Sequence, residues 1–199
     1  MPDYSYEKAA LAKGYKCVCG VDEAGRGPLA GPVCAAAVIL PPDLVIEGLD
    51  DSKKLTEKKR ETLYDVITEK SVAYGIAFGS VEEIEKVNIL GATYIAMCRA
   101  VEKLEDKADY VLIDGNRFPP MLSNNGECIV KGDSKSMSVA AASILAKVTR
   151  DRLLKEYAEK YPQYGFEKHK GYGTRAHIEA IRKFGVTDIH RPSFLTKLI

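Results

Sequence analysis

The chain has 199 residues, of which 46% are hydrophobic and 29% are charged. This composition excludes a disordered tail, a collagen-like repeat and a coiled-coil rod, and the length suits one ordinary domain of about 100 to 200 residues. The net charge is only +1, but residues 131–199 hold 14 basic and 7 acidic side chains, against 15 and 21 in residues 1–130. The C-terminal third therefore favours either a phosphate-rich partner or solvated basic helix faces.

The chain carries no membrane or zinc signal. No apolar run approaches the roughly 18 residues that a membrane span needs, and residues 1–16 are too polar for a signal peptide. We expect a cytoplasmic protein without membrane association. Cys17 and Cys19 would face opposite sides of a strand, so free buried thiols are expected. The three histidines lack the spacing of a zinc motif.

The first half of the chain predicts three strands and one helix. Residues 16–23 and 33–40 are apolar runs of strand length, joined by a Gly/Pro-rich link that suggests paired neighbours. Thr56 can cap a helix that runs to about Lys70, and residues 72–79 read as a third strand.

The second half alternates helices and strands. An apolar stripe over residues 90–104 predicts a second helix, Tyr110–Asp114 a buried strand and residues 127–131 a short fifth strand. An Ala-rich helix begins at about Ser138.

This order of elements predicts an α/β fold, with a mixed five-stranded sheet and helices on both of its faces. We expect one domain over residues 1–199. Its core would lie at about residues 16–160, and a short helical segment at about 161–199 would contact the substrate.

Acidic residues interrupt apolar or turn sequence at three places. Asp22 and Glu23 follow the first strand, Asp114 ends the fourth, and Asp133 lies in a Gly-Asp turn. Ligands gather beyond the strand ends of open α/β sheets, and carboxylates that converge there repel one another unless a cation compensates them. Mg²⁺ or Mn²⁺ suits such a site, because hard ions take carboxylate and phosphate oxygens together.

Each acidic position also has a structural interpretation. Asp114 precedes a Gly-Asn turn, Asp133 can cap the following helix, and Asp22 can pair with an arginine. Adjacent residues of a regular strand point to opposite faces, so Asp22 and Glu23 cannot both present their side chains there. Gly25 can bend the chain, or Glu23 can offer its backbone carbonyl.

Two glycine-containing segments suit a nucleic-acid backbone. Residues 20–27 nearly match the phosphate-binding pattern G-x-x-x-x-G-K-[ST], but Arg26 and Gly27 replace its lysine and hydroxyl. Gly25, Arg26 and Gly27 predict either a plain turn or a loop whose backbone approaches a sugar hydroxyl. Tyr172 lies among glycines and cations that suit a phosphate backbone with one sugar or base packed on the ring.

Residues 20–33, GVDEAGRGPLAGPV, resemble the signature of ribonuclease HII, the type 2 ribonuclease H. Six further motifs follow in chain order. They are DSKKL at 51–55, IDGN at 113–116, KGD at 131–133, AAASILAK at 140–147 with RD at 150–151, HKGYGT at 169–174 and HRPSF at 190–194. The resemblance spans nearly the whole chain.

The resemblance implies an RNase H-like fold and a divalent-metal endonuclease. The four acidic site residues of the family correspond to Asp22, Glu23, Asp114 and Asp133 of this chain, and Asp151 is an alternative for the fourth position. The implied hypothesis is hydrolysis with two Mg²⁺ or Mn²⁺ ions, in which water attacks on the 5′ side of a ribonucleotide and leaves 3′-hydroxyl and 5′-phosphate ends.

The same resemblance implies the substrate contacts. Gly25, Arg26 and Gly27 would contact the ribose 2′-hydroxyl at an RNA–DNA junction, and Tyr172 would pack on the deoxyribose just downstream. The partners would be RNA/DNA hybrids and DNA duplexes that contain ribonucleotides, bound by a monomer. Five cationic side chains are candidate phosphate contacts: Lys53, Lys54, Lys168, Lys170 and Arg175.

Two competing functions remain at this point. A binding protein could recognise hybrids without cutting them, although carboxylates beside phosphates would not help it. Another RNase H-fold nuclease, such as a junction resolvase, would share the acidic site but not the ribose sensor.

Overall fold

A computed structural model describes residues 1–105 and 107–196, which form one five-stranded sheet surrounded by helices. The strands are β1 Val18–Ala24, β2 Val33–Ile39, β3 Ala73–Gly79, β4 Tyr110–Asp114 and β5 Asn125–Ile129. The helices are α1 Ser5–Ala12, α2 Glu57–Lys70, α3 Val81–Glu102, α4 Met137–Lys160, α5 Phe166–His169, α6 Arg175–Phe184 and α7 Pro192–Leu195.

The sheet has the strand order β3-β2-β1-β4-β5. The first three strands form an antiparallel meander, and β4 and β5 run parallel to β1. Val21 of β1 is the partner of Ile113 of β4. Asp22 and Asp114, the next residue of each strand, therefore reach the same edge of the sheet side by side.

Both faces of the sheet are covered, as the sequence predicts. Strand β2 is buried along its whole length and alternates between the two faces: Val33, Ala35 and Ala37 pack in the cluster that contains α3, whereas Cys34 and Ala36 pack in the cluster that contains α2 and α4. A strand buried on both sides reads as a continuous apolar run.

Helix α4 lies directly on β1, and Gly20 allows this close approach. A Cβ atom at Gly20 would lie 2.2 Å from the backbone carbonyl carbon of Ser138, a distance that no side chain tolerates. The short 3₁₀ turn Gly132–Ser134, which precedes α4, is thereby brought to the end of β4.

Several sequence-based boundaries are confirmed. The first three strands lie within two residues of their predicted limits at each end, and β4 matches its prediction fully. The Thr56 side chain caps α2 by accepting a hydrogen bond from the Lys59 amide, and the helix ends at Lys70. All five cysteines are free, and Cys19, Cys34 and Cys98 are buried.

Two predictions needed correction, and one helix was missed. Strand β5 occupies Asn125–Ile129 rather than residues 127–131, because Val130 is exposed and Lys131 adopts a left-handed conformation. Helix α3 begins at Val81 instead of Leu90, with a capping box and a kink at Asn88. Helix α1 was not predicted. No helix among residues 1–105 and 107–196 is long and apolar enough to cross a membrane.

Candidate active site and nucleic-acid interface

Three of the four predicted acidic residues meet at the edge of the sheet. Asp22, Asp114 and Asp133 each offer a carboxylate oxygen, and these oxygens lie within 4.8 Å of one another. They come from β1, β4 and the 3₁₀ turn before α4, which are remote from one another along the chain. The cluster thus depends on the parallel pairing of β1 with β4 and on the packing of α4.

Local hydrogen bonds fix the three carboxylates. Oδ1 of Asp22 accepts a hydrogen bond from the Glu23 amide at 2.7 Å, and Oδ1 of Asp114 accepts one from the Gly132 amide at 2.6 Å. The Lys53 ammonium donates to Oδ2 of Asp133 at 3.0 Å. Asp133 does not cap α4, whose N-cap is Ser136.

The cluster concentrates negative charge in a buried place. Burial, together with the charges of Glu23 and Asp114, raises the pKa of Asp22 well above its ordinary value. Burial also raises the pKa of Asp114. Both shifts mean that charged carboxylates are disfavoured here unless a cation joins them.

Glu23 lies next to this cluster but faces the other side of the sheet. It lines a cavity of about 260 Å³ with Thr93 and Tyr94 of α3, and its carboxylate pairs with Arg26 at 3.2 Å. Asp114 lines this cavity too. The alternation of a regular strand directs Glu23 toward this cavity, but Glu23 also lines the cleft that contains Asp22, so the two side chains are not fully separated.

Asp151, the rival for the fourth acidic position, lies elsewhere on α4. Its carboxylate accepts from the Lys147 ammonium at 2.7 Å and is not part of the three-aspartate group. Lys147 lines the cleft beside Asp22, and burial lowers its pKa. In the sequence, Lys147 stands out only as the last residue of the AAASILAK motif.

Residues 25–32 form a loop that we call the glycine loop. Its residues Gly25, Arg26 and Gly27, together with Tyr172, line the same cleft as Asp22 and Asp114, a space of about 220 Å³. Gly27 lies beside the Tyr172 ring: a Cβ at Gly27 would make an ordinary van der Waals contact of 3.6 Å with Cε1 of that ring. The Tyr172 side chain is 46% exposed, so its ring is available to a ligand.

Two buried arginines hold the glycine loop in place. Arg191 donates to the carbonyl oxygens of Gly25, Arg26 and Gly31 at 2.6–3.0 Å. Arg150 donates to the carbonyl oxygens of Ala30, Pro32 and Lys170, all at 3.0 Å. Both residues are almost inaccessible to solvent: Arg150 is 1% exposed and Arg191 is 0% exposed.

The fit between Gly25 and Arg150 is tight. Gly25 has a φ of +96°, and a Cβ there would lie 1.9 Å from Nε of Arg150. Only glycine suits this position. The sequence does not indicate that these arginines are buried, because they stand out only as members of the motifs at 150–151 and 190–194.

The predicted phosphate contacts differ in their surroundings. Lys53 lies at the acidic cluster, and its side chain is 77% exposed. Lys54 pairs with Asp50, Arg175 pairs with Glu179, and Lys170 donates to the Glu167 carbonyl. Lys168 is exposed on α5.

Comparisons with known proteins identify the family. The family model for ribonuclease HII matches residues 19–197 of the chain. The chain belongs to the ribonuclease HII family. Members are endoribonucleases of the ribonuclease H type, which are divalent-metal-dependent hydrolases that act on RNA/DNA hybrids.

Individual relatives are similar over most of their length. Ribonuclease HII from Marinomonas sp. is 60% identical over 177 residues, 89% of each chain. The enzyme from Acetivibrio thermocellus is 56% identical over 194 residues, 98% of this chain and 75% of that protein. The crystal structure of ribonuclease H2 from Pyrococcus horikoshii has 27% identity and a TM-score of 0.75, covering 92% of this chain and 97% of that one.

Proposed function

We propose that this member of the ribonuclease HII family hydrolyses the RNA strand of RNA/DNA hybrids and also cuts on the 5′ side of single ribonucleotides in duplex DNA. The products would carry 3′-hydroxyl and 5′-phosphate ends. The observation that carries the proposal is a single cleft lined by Asp22 and Asp114 of the three-aspartate cluster, by the glycine loop and by Tyr172.

The donor set fits a hard divalent cation. It consists of carboxylate oxygens within 4.8 Å of one another, and burial raises the pKa of two of these groups, Asp22 and Asp114, so a bound cation would favour their charged forms. Asp22, Asp114 and Asp133 would hold two Mg²⁺ or Mn²⁺ ions, with Glu23 contributing from the α3 side. When bound, two such ions activate a water and stabilise the leaving oxygen of a phosphodiester.

The remaining residues would orient the substrate. Gly25, Arg26 and Gly27 would present a rigid backbone to the 2′-hydroxyl, because Arg191 and Arg150 hold the carbonyls around them. A preorganised polar site discriminates strongly against a substrate that lacks the matching hydroxyl. Tyr172 would pack on the neighbouring deoxyribose.

Charged side chains around the cleft would add affinity without reading sequence. Lys53 would exchange its bond to Asp133 for a substrate phosphate, and Lys170 lies within the turn at residues 169–172, which we call the Tyr172 turn. We also propose that residues 161–196 belong to the same domain as the sheet and form one wall of the substrate site. A monomer would suffice, since all of these groups come from one chain.

A nicking assay tests the proposal. The substrates are a labelled DNA duplex with one ribonucleotide, an RNA/DNA hybrid, an all-DNA duplex and a four-way junction, each with Mg²⁺ and with EDTA. We expect cutting of the first two only, with Mg²⁺ only. Comparable cutting of the all-DNA duplex or the junction would contradict the ribose-sensing role, and binding without cutting would contradict the enzymatic one.

A pair of matched variants tests the metal assignment. Asp114→Asn should abolish nicking while substrate binding persists. Asp109→Asn, at the other end of the same strand, changes a carboxylate that accepts from the amides of Lys16 and Cys17, and it should keep Mg²⁺-dependent nicking. Wild-type rates for Asp114→Asn would refute the assignment.

A further inference from the structure

All three histidines of the chain lie in one aromatic cluster next to the Tyr172 turn. His177 and His190 are almost fully buried, at 0% and 2% exposure. The rings of His169 and His177 stack at 4.4 Å, and Phe166 packs edge-on against His177 at 5.4 Å. The proposed function assigns no role to any of the three.

Hydrogen bonds to the backbone determine where the ring protons lie. The Thr187 amide donates to Nδ1 of His190 at 2.9 Å, so that nitrogen must be an acceptor and the proton of a neutral His190 lies on Nε2. Nδ1 of His177 lies 2.9 Å from the carbonyl oxygen of Tyr172. A carbonyl only accepts, so this nitrogen carries the proton of His177.

These two assignments agree where the rings meet. Nε2 of His190 lies 3.2 Å from Nε2 of His177. With these assignments Nε2 of His190 carries a proton and donates it, and Nε2 of His177 accepts. The result is a directed chain of hydrogen bonds from the Thr187 amide through His190 and His177 to the Tyr172 carbonyl. A proton added to either ring would set two N–H groups against each other, so both rings must be neutral.

His169 supports the same turn independently. Its Nδ1 accepts from the Gly171 amide at 3.2 Å, and its Nε2 faces the Tyr164 carbonyl at 2.9 Å, which fixes its proton on Nε2. The turn itself has two consecutive left-handed residues, Lys170 at φ +50° and Gly171 at φ +82°. Such a turn needs outside partners to hold it in a single conformation.

We propose that His177 and His190 are positioning residues that set the place of Tyr172 in the cleft. Their chain ends on the backbone of Tyr172, while the neighbouring Gly171 carbonyl accepts from the Leu29 amide of the glycine loop at 2.8 Å. The ring of Tyr172 is thereby held beside Gly27. This inference rests on the proposed function, in which Tyr172 contacts the substrate sugar.

The first test is NMR of the wild-type protein labelled with ¹⁵N-histidine. The spectrum is simple to assign because the chain has three imidazole rings. At pH 7 we expect His177 with its proton on Nδ1, and His169 and His190 with theirs on Nε2. This test does not depend on enzymatic activity. An Nε2-protonated His177, or averaging between its tautomers, would overturn the hydrogen-bond chain.

The second test is a double-mutant cycle on nicking kinetics. His177→Leu should raise KM for the ribonucleotide-containing duplex by about tenfold, within the range that one lost aromatic contact produces, with kcat within about twofold. In a Tyr172→Ala background the same change should raise KM no further. An equal rise in both backgrounds would mean a general structural role and would overturn the proposal.

Two further variants keep the kinetic test decisive. His177→Asn retains an N–H close to the position of Nδ1 and should recover most of the wild-type KM; equal impairment in the Leu and Asn variants would overturn the proposal. If His177→Leu does not fold, His190→Leu takes its place in the cycle. Tyr161→Phe, which removes a surface hydroxyl that donates to Asp188, is the control and should keep the wild-type KM.

The two levels of proposal fail in different ways. A wild-type KM for Tyr172→Ala would remove the sugar contact and the positioning role with it, whereas ribonucleotide-dependent cutting with Mg²⁺ would stand. Absence of cutting in the wild-type protein would remove the proposed function, while the NMR result would still decide the hydrogen-bond chain.

Discussion

Removal of one carboxylate from the acidic cluster should have opposite effects on activity and on stability. Asp22→Asn replaces a buried carboxylate with an amide of the same shape, which can keep the hydrogen bond from the Glu23 amide. The variant should lose nicking activity. In metal-free buffer it should also be more stable than the wild-type protein.

The size of the effect follows from the geometry. At an effective dielectric constant of about 20, two unit charges about 5 Å apart repel by ~3 kcal/mol, and Asp22 has two such neighbours within 4.8 Å. The Lys53 ammonium offsets part of the charge at Asp133, and proton uptake limits the rest. We therefore expect a gain of about 2–3 kcal/mol, or roughly 4–12 °C in Tm for a domain of this size.

The pH dependence of the stability difference between Asp22→Asn and the wild-type protein is a second test of its direction. The folded-state pKa of Asp22 is raised, so the unfolded chain releases this proton at a lower pH than the folded protein does. The wild-type protein therefore loses stability relative to the variant as the pH rises from the unfolded-state pKa to the folded-state pKa, and above the folded-state pKa the difference stays constant. The difference in Tm should be largest at about pH 8 and should narrow toward pH 5.

Thermal unfolding in EDTA measures these quantities, with Asp151→Asn as the control. That variant breaks a partly buried pair with Lys147 and should lose about 1–3 kcal/mol, yet retain Mg²⁺-dependent nicking. Added Mg²⁺ should raise the Tm of the wild-type protein more than that of Asp22→Asn. A variant Asp22→Asn that melts below the wild-type protein in EDTA at pH 8 would refute the reasoning.

Four further outcomes are expected. Arg191→Lys cannot reproduce a fork that bonds three carbonyls and should lower the free energy of unfolding by about 3 kcal/mol in urea titrations; an unchanged value would contradict its role. Gly25→Ala, whose Cβ would clash with Arg150, should cut the preference for ribonucleotide-containing over all-DNA duplex by at least about tenfold. Raising salt from about 50 to 200 mM should weaken substrate binding by well over tenfold in anisotropy titrations. Burial lowers the pKa of His177 to about 4 from 6.5, so the unfolded chain binds a proton that the folded one does not; stability should fall as the pH drops from 6.5 toward 4, less steeply in His177→Asn.

The sheet was predictable because its strands carry strong local signals. The run VCAAAVIL is apolar at every position since β2 is covered on both faces, and Thr56 provides an unambiguous cap. The end of β5 was not predictable. Val130 is apolar but exposed, and the turn that ends the strand depends on a left-handed Lys131 that no propensity favours.

The acidic site was predictable in part, and for a physical reason. A charge after an apolar strand is costly unless it is used, which singled out Asp22 and Asp114. The alternation of β1 further indicated that Glu23 would reach the α3 side of the sheet, although Glu23 also lines the cleft of Asp22. The proximity of Asp133 depends on how α4 packs on Gly20, a long-range contact that spacing along the chain does not reveal.

The arginines and histidines that support the site could not be recognised from the residue pattern. Arg150 and Arg191 count as two ordinary positive charges in a basic segment, although each is buried among carbonyl oxygens. Likewise, three histidines without metal-ligand spacing gave no reason to expect a hydrogen-bond chain. Such roles depend on which backbone atoms the fold presents to each side chain.

The link between Arg191 and the glycine loop joins residues 160 to 166 positions apart. A chain synthesised as far as residue 160 already contains all three aspartates of the cluster, but not the guanidinium that secures the loop. The growing polypeptide would thus acquire its acidic centre before the element proposed to recognise ribose. Selectivity would be the last property to mature during synthesis.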